Sequence, residues 1–189
     1  MACAVVPDST VGDPLSGLTG NQLAALRAAG LSDNEIAGQI QTLGDIQLFR
    51  GTTAGFPGNP VLQQLGITPA STDPVVSTVF ALEGSAYGGD AFVFNGGMSG
   101  FANGDIDIGN VRSSLEREVQ VNLSPMEFQA QAPNAIPVNV ATQALSDMGI
   151  VDLPPVITST QQATQILEST PRMTPAQIQE FLLRTAQPK

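Results

Sequence analysis

The sequence predicts an α+β fold, on three observations. Helix-start signals sit at both ends of the chain, short runs with period-two alternation occupy its middle, and glycine and proline punctuate it throughout. The chain has 189 residues, 42% of them hydrophobic, with 19 glycines and 14 prolines. That length and composition support one domain with a core and room for a helical extension. Aromatics make up 5% and tryptophan is absent, so Leu, Ile, Val, Ala and Phe must build most of the core.

Taken in order, residues 1–18 are rich in Pro, Gly, Ser and Asp and read as a loose lead-in. Thr19-x-x-Gln22 and Ser32-x-x-Glu35 are capping-box patterns, predicting a helix that ends at Gly30 and another that ends near Gly44. Leu23, Leu26, Ile36 and Ile40 fall at helical spacing, giving a helical hairpin. Residues 45–51 alternate and read as a strand. A Gly-Phe-Pro-Gly-Asn-Pro turn from Gly55 then leads to a short helix with Val61, Leu62 and Leu65. Ile67–Ser71 predicts a second strand. Asp73-Pro74 ahead of Val75, Val76, Val79, Phe80 and Leu82 predicts a helix with proline in its first turn. Asp90–Asn95 is a short β run, 95–111 a Gly-rich mobile loop, and Glu116–Asn122 an alternating strand. Phe128 and Gln129 are expected to begin a last strand. Past Pro133, residues 141–148, 161–168 and 174–185 predict three helices. The division expected is a lead-in and helical pair over 1–44, a core over 45–132 and a C-terminal helical extension over 133–189.

Charge and residue counts exclude whole classes of chemistry. Seven basic residues against seventeen acidic ones give a formal net charge of −10 and, with a pI near 4.1, a chain repelled by nucleic-acid backbones and anionic membranes. This argues against a nucleic-acid partner. Histidine is absent and Cys3 is the lone cysteine. A His/Cys zinc site, a Ser-His-Asp triad and an intrachain disulfide are therefore ruled out, and no metal is expected. Asp105 and Asp107 lack the ligand spacing of an EF-hand loop. No apolar run reaches the roughly 18 residues of a membrane span. The start, Met1-Ala2-Cys3-Ala4-Val5-Val6-Pro7, has no charged n-region and is too short for a signal peptide. Three readings stay open: a cytosolic protein, export without a cleavable signal, or a fragment of something longer.

Three short segments carry the candidate chemistry: Phe49-Arg50-Gly51-Thr52-Thr53, Ser71-Thr72-Asp73-Pro74 and Leu115-Glu116-Arg117-Glu118-Val119. Arginine offers a bidentate fork for phosphate, and glycine lets a backbone approach a ligand. A serine hydroxyl can hold a carboxylate in one rotamer. Two glutamates two apart on a strand share a face. Each segment has a plainer reading taken alone: a surface ion pair, a helix N-cap, and two solvated charges.

In this order and with these flanks, the trio resembles the signature of mono-ADP-ribosyltransferases of the Arg/Ser-Thr/Glu class, of the bacterial toxin and effector type. The resemblance covers about residues 45–129. It implies a split β-sandwich of two small mixed sheets face to face, flanked by helices, with NAD as substrate in the cleft between them. It implies that Arg50, with Gly51 and Thr52, grips the dinucleotide, that Ser71 orients Glu118, and that Thr72 supports the cleft. Glu118 would stabilise the cation that forms as nicotinamide leaves, and Glu116 would meet the acceptor, a guanidinium where this position is Glu. Asp73 departs from the family's third hydroxyl. Tyr87 is a candidate for stacking on nicotinamide, whereas Phe92 and Phe94 read better as core. The Gly-rich loop would recognise the acceptor, with Phe101, and secondarily Met98, as exposed contacts. A protein acceptor, an immunity protein covering the cleft, and secretion into a target cell's cytosol follow from the same likeness. An NAD glycohydrolase and a non-catalytic binding protein with a degenerate site are the alternatives.

Overall fold

The computed structural model describes residues 13–53, 60–85, 88–101, 106–107 and 115–186. In chain order, α1 (Gly20–Ala28) and α2 (Asp33–Leu43) lead to β1 (Gln47–Thr53), α3 (Pro60–Leu65), β2 (Thr68–Ser71) and α4 (Pro74–Gly84). Then come β3 (Ala91–Gly97), β4 (Ile106–Asp107), β5 (Glu118–Val121), α5 (Pro125–Gln131) and β6 (Asn134–Pro137). The last helices are α6 (Val138–Asp147), α7 (Thr160–Ser169) and α8 (Pro175–Thr185).

Local capping chemistry starts most of the helices. Thr19 with Gln22, Ser32 with Glu35, and Thr174 with Gln177 each close a reciprocal capping box, and Gly44 at φ 79° ends α2 in the left-handed region that favours glycine. A fourth box, Ser124 with Glu127, opens α5 with Pro125 in its first turn. This overturns the strand expected at Phe128 and Gln129: both lie in α5, and Phe128 is fully buried.

The strands form one six-stranded sheet in the order β4-β5-β2-β1-β3-β6, and every described pairing is antiparallel. The expected pair of mixed sheets is thus corrected to a single antiparallel one. Its middle seam is narrow, however. β1 and β3 pair all the way from Gln47↔Gly97 to Thr53↔Ala91, whereas β1 and β2 join only at Phe49↔Ser71. Two positions back along β2 from Ser71 stands Pro69, which has no N–H to donate. Its carbonyl instead accepts from Arg50 Nη1 at 3.0 Å. An arginine side chain thereby occupies the acceptor a longer ladder would use, and the two halves part there.

Apolar clusters cover both faces. Leu48 and Phe49, adjacent on β1, belong to opposite ones, as strand alternation requires. Phe49 packs with Val75 and Val79 of α4, Leu145 of α6, and Ile178 and Phe181 of α8; its ring meets Phe181 edge-on at 6.2 Å. Leu48 packs with Leu26, Ile36, Phe94, Val119 and Phe128. The segment past residue 133 is built into this arrangement: β6 pairs with β3, and α6 to α8 supply part of the core over α4. No described helix is long and apolar enough to cross a membrane.

The Gly-rich run is only partly a loop. Asn95, Gly96 and Gly97 finish β3, Met98–Gly100 forms a 3-10 turn, and Ile106–Asp107 pairs with β5. Residues 102–105 and 108–111 of that run, Asp105 among them, lie outside the described residues.

Candidate active site

Antiparallel pairing brings the three motifs to one place. Ser71 ends β2 and sits directly opposite Glu118, the first residue of β5, on one side and opposite Phe49 on the other. Residues so paired point to the same face with Cβ atoms about 5 Å apart. Arg50 follows Phe49 at the seam. The cleft that opens there has a volume of about 820 Å³, and Arg50, Gly51, Thr52, Ser71, Glu116 and Glu118 all line it.

Arg50 is largely buried. Burial lowers its guanidinium to about 10, with the neighbouring Glu118 charge pulling the other way, so it stays a cation at neutral pH. Its Nη1 is used by Pro69, while its Nε is buried with no hydrogen-bond partner among the described residues. A buried donor without an acceptor in a cleft wall suits an anionic or oxygen-rich ligand.

The Ser71 hydroxyl is engaged by the backbone of its own turn and of the glutamate segment. Its Oγ donates to the backbone carbonyl of Glu116 at 2.7 Å and accepts from the Asp73 amide at 3.0 Å. The hydroxyl has one proton, and it holds the Glu116 backbone. Glu116 is also not on the strand: residues 115–117 form a turn, and Arg117 adopts φ 48°. Both glutamates still face the cleft, through a turn reversal rather than strand periodicity.

Gly51 lines the cleft, but its missing side chain serves packing. A Cβ there would lie 1.7 Å from the Ser77 carbonyl oxygen and 2.7 Å from the Ala81 nitrogen. The glycine lets α4 lie directly on β1. Thr72 is buried outside the cleft's lining, its amide donating to the Arg117 carbonyl at 3.2 Å. Asp73 caps α4, accepting from the Val75 amide at 2.9 Å, and burial pushes its carboxyl up to about 6.

Other candidates fall elsewhere. Phe101 is buried and stacks on Phe128 with ring centroids 4.6 Å apart, so it is core rather than the exposed contact expected. Met98 is buried in the same cluster. Phe94 is core and Phe92 packs against it, as expected. Tyr87 lies outside the described residues.

Two walls of the cleft escape the sequence reading. Val76, Phe80 and Glu83 line it from one stripe of α4, and Ile157, Thr158, Ser159 and Thr160 line it from the start of α7. Glu83 is raised by burial and then by the charge of Glu116, which sets these two carboxylates near each other. The spacing 76, 80, 83 was a detectable signal for the α4 stripe; nothing local marks 157–160. Compared with family models, curated proteins and solved structures, the chain finds no match.

Proposed function

We propose that this chain is an NAD-dependent mono-ADP-ribosyltransferase that modifies a guanidinium group on a protein acceptor. One observation carries the reading: Arg50, Ser71 and Glu118, from segments far apart in sequence, meet on three adjacent strands around one cleft. In this proposal Arg50 binds the dinucleotide, its unpartnered Nε taking an oxygen. The bond between the ribose carbon and the nicotinamide nitrogen breaks, and its electron pair leaves with nicotinamide. Glu118 stabilises the positive charge left on the ribose. A guanidinium nitrogen then attacks that carbon, and Glu116 accepts the proton it sheds. Among the described residues, three carboxylates, Glu83, Glu116 and Glu118, share the cleft with one arginine, and this acidic balance favours a cationic acceptor.

Mass analysis of a protein mixture incubated with NAD, with wild type beside Glu118→Gln, tests the reading. The expected result is one added ADP-ribosyl group on an acceptor, with at least about 100-fold less in the variant. Nicotinamide release without any modified acceptor makes the chain a glycohydrolase instead. Absence of NAD consumption sinks the enzymatic reading.

A further inference from the structure

We infer that Arg117, held by Glu35, is a positioning residue that sets the two cleft glutamates; the inference rests on the reading just given. Arg117 lies between those glutamates, and its own side chain points elsewhere. It is 4% exposed, with Nη1 3.4 Å from Glu35 Oε2 and 3.5 Å from the Gly30 carbonyl oxygen. Its backbone is the one described non-glycine position with positive φ, at 48°. L-residues adopt that conformation at a cost and keep it only where the surroundings over-determine it.

The surroundings do so from three sides. Ser71 Oγ holds the Glu116 carbonyl at 2.7 Å, the Thr72 amide holds the Arg117 carbonyl at 3.2 Å, and Glu35 holds the guanidinium. The turn at 115–117 therefore hangs between the serine-threonine motif and α2. This turn, in place of a strand, brings Glu116 into the same cleft as Glu118. Releasing the guanidinium frees the left-handed residue to relax and swings Glu116 relative to Glu118.

Glu35 reaches further. Its Oε1 also receives Arg172 Nη1 at 3.2 Å, and Arg172 donates to the Gly30 carbonyl at 2.9 Å. Arg172 lies between α7 and α8, and the other end of α7 walls the cleft. One carboxylate thus ties the glutamate turn and the C-terminal segment to α2.

Three variants separate positioning from general stability. Glu35→Gln keeps a side chain able to close the Ser32 capping box but loses the charge. Arg117→Gly tolerates the backbone and loses the guanidinium; Arg117→Lys keeps a charge. The measurements are steady-state nicotinamide release and hydrogen exchange at the Thr72 amide. Glu35→Gln and Arg117→Gly are expected to lower kcat about tenfold, leave KM for NAD within about twofold, and speed Thr72 exchange. Arg117→Lys is expected to recover most of the turnover. Unchanged Thr72 protection in both variants overturns the inference, and so does lost protection with kcat intact. A wild type that releases no nicotinamide, with Thr72 protection still dependent on Glu35, removes the proposed reaction but leaves Arg117 as the anchor of the turn. If Arg117→Gly does not fold, Glu35→Gln carries the test.

Discussion

Asp73 combines two demands that oppose each other. Its carboxylate caps α4, yet the residue is only 7% exposed, and burial raises its carboxyl from 3.8 to about 6 despite the Val75 and Met173 amides and the Arg172 charge. The sign follows from proton binding. Between about pH 4 and 6 the folded state holds this proton more tightly than the unfolded chain, so stability from this group is greatest below pH 4 and is lost as pH rises through 6. Asn caps a helix as well as Asp does and carries no charge to desolvate. Asp73→Asn is therefore expected to stabilise the fold at pH 8, by up to about 3 kcal/mol, with little change at pH 4. Urea unfolding at the two pH values checks it; equal effects at both would show that desolvation of this carboxylate is not the cause. Ser71 gives a second prediction. Alanine there orphans the Glu116 carbonyl and the Asp73 amide together, at a cost of about 1–3 kcal/mol. The same urea experiment reads that loss at pH 7, and a value near zero would mean that water replaces the hydroxyl.

The contact between α4 and β1 depends on Gly51. A Cβ placed 1.7 Å from a backbone oxygen cannot be absorbed by a side-chain rotation, so the helix itself must move. Gly51→Ala is expected to cost about 3 kcal/mol or more and to displace Val76, Phe80 and Glu83 from the cleft wall. Gly100→Ala, where a Cβ meets nothing within 4 Å, is the control and should stay within about 0.5 kcal/mol. Comparable melting temperatures for the two variants would contradict this account. Elements of this kind differ in how far the sequence reveals them. The capping boxes at Thr19, Ser32 and Thr174 are legible because their partners lie three residues away. The box at Ser124 is equally local, and Phe128 is misread when the Phe-Gln pair outweighs it. β4, at two residues, is too short for periodicity, and β6 carries a single large apolar residue, Ile136; they pair with the edges that β5 and β3 offer. Phe101 is buried by a ring 27 positions along the chain, which no window around it contains. The three motifs of the candidate site are legible for their residue types; the turn that aims Glu116 is not, because it depends on Glu35.

For the whole molecule, the question is whether residues 45–132 form a unit that can stand alone. The boundary at 132/133 falls against β6, which is hydrogen-bonded to β3 from Phe92↔Pro137 to Asn95↔Asn134. Beyond it lie Leu145, Ile157, Ile178 and Phe181, each at most 1% exposed, and they cover Phe49, Val79 and Val93. Fully burying a side chain of this size contributes about 1.5–3 kcal/mol. Losing four of them removes roughly 6–12 kcal/mol, comparable to the entire net stability of an ordinary domain. Truncation also strips Arg172 from Glu35 and opens the cleft on the Thr158–Thr160 side. A chain ending at Ala132 is therefore expected to lose cooperative unfolding and amide protection in β1 and α4, while the full chain retains both. Hydrogen exchange followed by mass spectrometry on the two chains reads this directly. A truncated chain with native protection in β1 would show that the C-terminal helices are an accessory, and the cleft would then need only its three motif strands.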